Sequence, residues 1–478
     1  YQPKKYLTIN PNGANEGDFV FILGYPGRTY RNYPAKYIQY QEQYQLPYIS
    51  DLYAWQNKQM EATSITKELE LKQVAKIKRK ANVLKNYRGK LKGLKGIDLV
   101  NQKFAQEKEL QAFINADTSL IKQYGKMLQN IDMVYDEFFA DAKKFLVLDQ
   151  VFTSATAFSV ANQVLGLQKK IAEAKTENQD KVYQESKVTI LKNAKDAYST
   201  YVLATDKLLL KRILLDGLNL SAKEQFNFIK GMPTAKGTNW DELLSKHLDR
   251  IFSKSEFTEA DEIDEIFNLS VKDFLKFKDP MIDLAINARV EIDQMNTIRK
   301  DRTGRLNKLL ADYVNVSILF KKSDFIPDAN STLRLTYGHV KGFTPVDATY
   351  MKPTTTLTGL IEKGTNEGDY YLPEIFRTLH QQKDYGQFTT KDGKDVPVAF
   401  LYNLDTTGGN SGSPIMDENG NLVGVNFDRA YEATINDFAW NDAYSRSIGC
   451  DIRYVLWVAQ KVDHADFILT ELGVKTIK

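Results

Sequence analysis

Prolines divide this chain more sharply than any other residue type. Five of the 13 lie between Pro3 and Pro47, and the next is Pro233. A helix interior excludes proline, because the ring removes an amide donor and collides with the preceding turn, so a gap this long reads as helical. Apolar residues inside the gap recur at helical spacing, as in Ile121, Tyr124, Met127, Leu128, Ile131 and Tyr135. The basic run Lys76–Lys80 (KIKRK) falls in the same pattern and reads as a solvated helix face. Ahead of the gap, Asp18–Arg31 (DFVFILGYPGRTYR) reads as a buried strand ending in a turn at Gly24, Pro26 and Gly27. Beyond Pro327 the texture changes to short β-rich runs (STLRLTYGHV, VPVAFLYNL, NLVGVNFD) separated by turns such as Asp417–Asn421 (DENGN). The last segment, Asp451–Leu472, carries the pattern of an amphipathic helix.

The chain has 478 residues, 42% of them apolar and 26% charged, enough for two or three ordinary globular domains. Its 64 basic and 61 acidic residues leave a net charge of +3, which gives no electrostatic reason to expect nucleic acid or an anionic membrane as partner. No apolar run approaches the length of a membrane span. The single cysteine, Cys450, excludes an internal disulfide framework. The chain opens at Tyr1 rather than at a methionine, and is read as part of a longer protein whose targeting signal lies elsewhere.

Chemistry concentrates in Asp405–Pro414 (DTTGGNSGSP), which runs directly into the hairpin IMDENGNLVGVNFDR. In isolation GGNSG is an ordinary surface turn. Flanked by β-runs, it has what a nucleophilic serine needs. Glycines let the backbone turn so that the amides of Gly409 and Ser411 point one way, toward the oxyanion that forms when Ser411 attacks a carbonyl.

This stretch resembles the serine motif of chymotrypsin-like peptidases, Gly-Asp-Ser-Gly-Gly-Pro followed by a strand like LVGIVSWG. Aligned on that strand, Asp428 stands at the family's tryptophan and Arg429 at its pocket-wall glycine. Asn410 stands where the family has the aspartate that, in animal members, pairs with the new N-terminus after zymogen cleavage; that switch is therefore expected to be missing. With GYPGRT (Gly24–Thr29), TGGNSGSP and SRSIGCDIRYVLW, the whole chain resembles the bacterial dipeptidyl-peptidase 7/11 family of the chymotrypsin clan. The arginine at 429 resembles its Asp/Glu-specific branch, whereas the hydrophobic-accepting branch has glycine there.

The resemblance implies an α+β fold, a chymotrypsin-like double β-barrel with a large all-helical insertion. Residues 1–30 would be the end of the first lobe, 31–326 a helical cap, and 327–478 the second lobe with a C-terminal helix. It implies a serine exopeptidase that releases dipeptides from free N-termini, with Ser411 as nucleophile, the Gly409 amide in the oxyanion hole and Arg429 selecting the acidic side chain. Asp428 would hold the substrate's α-ammonium together with an asparagine of the helical cap, either Asn82 or Asn86. No metal or cofactor is needed. Peptides are the expected partners, and the resemblance further implies a homodimer in the periplasm or on the surface of a Gram-negative bacterium.

A serine nucleophile also needs a histidine base and a group to orient it. Of the four histidines, His247 and His464 fall in helical patterns and His380 has no distinctive surroundings. His339, in TYGHVKG, is the one in β-texture. Family members carry the base in a His-Cys-Gly context, which does not occur here, so the base and its aspartate are expected upstream of this chain. Asp405, six residues before Ser411, suggests a rival reading in which a trypsin-like endopeptidase uses it to select Lys or Arg. A second rival is a non-catalytic helical binding protein with a degenerate peptidase lobe.

Overall fold

The proline-free stretch is helical in the computed structural model, which describes residues 2–230, 239–322 and 325–475. The main helices are α1 (Lys67–Gly96), α2 (Met127–Val151), α3 (Thr156–Glu173), α4 (Leu203–Leu218) and α5 (Pro280–Lys321). Local chemistry sets their ends. The carboxylate of Asp279 accepts from the Met281 amide, with Pro280 in the first turn of α5. Asp206, wholly buried, accepts from the Thr156 and Ala157 amides at the start of α3. Burial raises its carboxyl to about 6 against the pull of those amides.

Phe145, Leu148, Phe158, Val164, Ile213 and Ala285 from these helices share one core. Burying each large apolar side chain is worth about 1.5–3 kcal/mol, against a few tenths for a pair on a helix surface, so packing rather than propensity holds the bundle. In the predicted apolar stripe, Tyr124, Met127, Ile131 and Tyr135 are buried in a second cluster, whereas Ile121 is exposed and the helix breaks at Gly125. Lys76–Lys80 is only partly a solvated face. Lys78 and Arg79 face water, but Lys80 turns inward over the Tyr53 ring at 4.2 Å. Burial first, then its basic neighbours, lowers the Lys80 ammonium to about 8.

The β region contains β1 (Phe19–Gly24), β2 (Arg334–His339), β3 (Phe343–Val346), β4 (Thr349–Met351), β5 (Thr354–Thr356), β6 (Pro397–Tyr402), β7 (Pro414–Met416), β8 (Leu422–Arg429) and β9 (Ser447–Asp451). Seven form an antiparallel sheet in the order β2-β1-β7-β8-β9-β6-β5, and β3 pairs with β4. The sheet curls until β2 meets β6. Val340 and Tyr402 form an antiparallel bridge, and the Asn403 amide donates to His339 O at 3.2 Å. Six strands thus close a barrel around Val20, Ile22, Phe400, Tyr402, Leu404, Ile415 and Val423.

Three sequence expectations change. First, residues 1–30 are not the end of a separate lobe. β1 pairs with β2 from Phe19↔His339 to Gly24↔Arg334 and meets β7 at Phe21↔Met416, so it is a central strand of the barrel that carries Ser411. Second, the chain divides into a β unit of Tyr1–Tyr33, Gly89–Leu99 and Asp324–Lys478, and a helical unit of Pro34–Arg88 and Val100–Ser323. The span 31–326 therefore gives up the end of α1 to the β unit. Third, the C-terminal helix is broken into α6 (Ile452–Trp457), a π-helical turn (Val458–Val462) and α7 (Asp466–Glu471), with His464 at a φ of 52° between the last two.

Candidate active site

The loop between β6 and β7 is shaped by what it must avoid. Gly409 has a φ of 105°, and a side chain there would meet Tyr25 O at 2.4 Å and Gly27 N at 2.7 Å. Gly27 is equally confined, since its amide donates to Gly408 O at 2.6 Å. The GYPG turn after β1 and the GGNSG loop are therefore one interlocked feature. Because the 408–409 peptide is trans, fixing Gly408 O on Gly27 turns the Gly409 amide to the opposite side. Among the described residues, neither the Gly409 nor the Ser411 amide donates to a protein group.

Asn410, 1% exposed, fixes the loop from beneath. Its Oδ1 accepts from the Thr407 amide at 3.1 Å, and its carbonyl accepts from Asn426 Nδ2 at 2.9 Å. Asn426 also bonds Gly412 and Ser413 through its backbone and accepts from the Tyr402 hydroxyl. Above this frame Ser411 is exposed, its hydroxyl donating to Phe427 O at 3.3 Å. That carbonyl lies at a bulge in β8, between Asn426↔Gly449 and Asp428↔Ile448.

The bulge re-aims the residues that follow. Asp428 is exposed, and its Oδ1 accepts from the Arg429 amide at 2.8 Å. Among the described residues it makes no ion pair. Arg429 turns the other way, its side chain 11% exposed. Its Nη1 donates to Asp437 Oδ1 at 2.9 Å and to Thr407 Oγ1 at 3.4 Å. Nε and Nη2 have no partner among the described residues. The Thr407 hydroxyl donates to the same Asp437 oxygen at 2.5 Å, and Lys90 Nζ pairs with the other at 2.7 Å. Burial pushes the Asp437 carboxyl up, but Lys90 and Arg429 outweigh it and hold the group below the ordinary carboxylate range.

Asp405 does not reach this cluster. It forms a two-pronged pair with Arg31, at 2.5 and 2.7 Å, while Arg31 also donates to Asn436 O. Burial lowers the Arg31 guanidinium, and Asp405 more than restores it. The trypsin-like selector of the rival reading is therefore already neutralised. Asn82 and Asn86 lie on the part of α1 assigned to the helical unit. His339 is also remote. It meets the Phe19 ring edge-on at the far end of β1, whereas the Ser411 loop touches Gly24, five residues or about 16 Å along the strand. His380 bonds the Tyr385 hydroxyl, and His247 and His464 lie in α-helical and C-terminal surroundings. Among the described residues no group of three or more His, Cys, Asp or Glu side chains has metal-binding geometry.

Sequence reasoning missed Asp437, Lys90, Thr407 and Arg31. Only Thr407, inside the glycine motif, carried a local signal. Lys90 reaches Asp437 because Gly89 and Gly93, one turn apart on α1, lie flush against the 3₁₀ segment Tyr431–Asp437; a methyl on either would strike Thr434 or Ile435.

The site is an exposed, glycine-framed serine on a loop of the barrel. The peptidase S46 family model matches residues 1–474, and the chain belongs to that family. It is 32% identical over 490 residues to an Asp/Glu-specific dipeptidyl-peptidase of Capnocytophaga gingivalis, covering 99% of this chain and 65% of that protein. A dipeptidyl-peptidase 7 of the same organism is 30% identical, again with 65% of its length covered. The chain thus spans a little under two thirds of these relatives. Among solved structures, Porphyromonas endodontalis DPP11 in complex with the dipeptide Arg-Asp superposes with a TM-score of 0.82 at 25% identity, covering 99% of this chain and 66% of that one.

Proposed function

We propose that this chain is the nucleophile-bearing part of a serine dipeptidyl-peptidase that removes dipeptides from free N-termini and cleaves after Asp or Glu. The observation that carries the reading is the pairing of two features on one loop and strand. Ser411 is exposed beside two unspent amides, and Arg429 offers an unspent Nε/Nη2 fork. In this reading Ser411 Oγ attacks the scissile carbonyl, and the developing oxyanion is held by the Gly409 and Ser411 amides. The acyl-enzyme so formed is then hydrolysed, releasing the dipeptide. The general base is supplied from outside this chain, because no histidine here has the placement for it. Asp428, exposed and without a cation, suits a substrate ammonium, helped by Asn82 or Asn86. The barrel would be the second of a chymotrypsin-like pair, in a homodimer exported to the periplasm or cell surface.

The test uses the full-length protein and peptides carrying Glu, Leu or Lys before the scissile bond, each with a free or an acetylated N-terminus. Release of a dipeptide from the free Glu peptide, and none from its acetylated form, is expected, since acetylation removes the cation that Asp428 pairs. Equal rates on blocked and free peptides, or a preference for Lys, overturn the reading.

A further inference from the structure

The acid-selecting charge is spread over more than Arg429. Arg429, Lys90 and Asp437 form a chain in which one carboxylate serves two cations, Oδ1 toward Arg429 and Oδ2 toward Lys90. Arg429 and Asp437 alone sum to zero, and both side chains are largely buried, at 11% and 12% exposed. A substrate carboxylate entering such a neutral pair would leave a net negative charge out of water, which is costly. Lys90, also 11% exposed, changes that balance. With it the empty cluster carries +1, and a substrate carboxylate brings it to zero.

We propose that Lys90 and Asp437 are specificity-determining residues, Lys90 supplying the net positive charge that an acidic side chain needs and Asp437 fixing the Arg429 fork. This rests on the reading of Arg429 given above and extends it. The framework is built for the task. The Tyr30 amide donates to Asp437 O at 2.7 Å, the Thr407 hydroxyl bonds its carboxylate, and Lys90 Nζ lies 5.7 Å from the Phe438 ring centroid. Asp437 holds Arg429 by Nη1 alone, which leaves the Nε/Nη2 edge aligned as a planar two-donor fork. The two ends of the chain of charges come from sequence-remote elements, the end of α1 and β8, so the Lys90 charge does not follow from the serine motif.

The test measures the ratio of kcat/KM for Glu and Leu peptides in the full-length protein, each variant normalised to the Ser411 sites that a fluorophosphonate labels. Lys90→Met is expected to lower the ratio on the order of tenfold to a hundredfold, the Coulomb effect of one charge roughly 6–12 Å from the substrate carboxylate at an effective dielectric of about 20. Lys90→Arg is expected to keep most of it. The decisive variant is Lys90→Met/Asp437→Asn, which returns the cluster to +1 and is expected to recover part of the loss; a purely structural role for Lys90 predicts further damage. An unchanged ratio in Lys90→Met, or a double variant no better than the single one, overturns the proposal. If Arg429→Gly collapses the ratio in the same series, that failure belongs to Lys90 alone; if wild type shows no acid preference, both readings fall.

Discussion

At the scale of single residues, the site divides into groups that announce themselves and groups that do not. Ser411 was legible because glycines at 408, 409 and 412 around a serine have few other uses between β-runs. Arg429 was legible by its distance from that serine along β8. Asp437 was not, since an aspartate in ATINDFAW differs in nothing from the other acidic residues until the fold sets it between two cations. Ser411→Ala in the full-length protein is expected to remove turnover by on the order of 10⁶ while leaving peptide binding measurable by calorimetry. Fluorophosphonate labelling of any other residue would count against Ser411. Arg429→Gly is expected to reduce kcat/KM after Asp and Glu by roughly 30- to several-thousand-fold, the range for removing one partner of a desolvated charge pair. Arg429→Lys is expected to restore only part of it, because an ammonium keeps the charge without the planar fork. An unchanged Glu rate in Arg429→Gly contradicts the assignment.

Among the elements, what a local pattern encodes was readable and what a remote partner decides was not. The proline gap located the helices, because exclusion of proline acts within one turn. It did not reveal that the last turns of α1 belong with the barrel, since Gly89 and Gly93 acquire meaning only against Thr434 and Ile435. Gly93→Ala places a methyl 2.8 Å from Ile435 Cβ and is expected to shift the end of α1 and lower the Glu-to-Leu ratio. Gly96→Ala, with open space around it, is the control and is expected to change neither. The helical unit also carries a pH signature. Glu107 accepts from the Ala35 amide at 2.7 Å, yet burial dominates and raises its carboxyl to about 7; burial likewise raises Asp206 to about 6. A raised carboxyl favours the folded state while protonated, so this contribution is complete below the ordinary value and lost as pH rises through the folded one. Denaturant midpoints followed by helical circular dichroism are expected to fall from about pH 4.5 to about pH 7. Glu107→Gln is expected to flatten most of that slope, and an equal slope in the variant would refute the cause.

For the whole molecule, the sequence indicated one barrel's worth of strands after Pro327 but assigned β1 to another lobe, because antiparallel pairing leaves no mark on a strand when its partner lies beyond the helices. With His339 at the wrong end of β1, residues 1–478 expressed alone are expected to show no fluorophosphonate-sensitive hydrolysis. Measurable turnover would mean that a base within this chain reaches Ser411 after all. The pairing of β1 with β2 and β7 also governs the order of events as the chain folds. Closing Gly24 onto Arg334 means bringing together residues separated by the entire helical unit, an entropy cost that grows slowly with length but falls hard on the search for register. Helical contacts are mostly local and form early, whereas a strand that must wait for partners on the far side of an insertion forms late. Refolding should therefore be biphasic: recovery of helical ellipticity first, then a slower phase in which β1 docks between β2 and β7 and the GYPG turn locks beneath the serine loop. During that interval the exposed edges of β2 and β7 have no cover, so the yield of refolded protein should fall with concentration during the second phase and not the first.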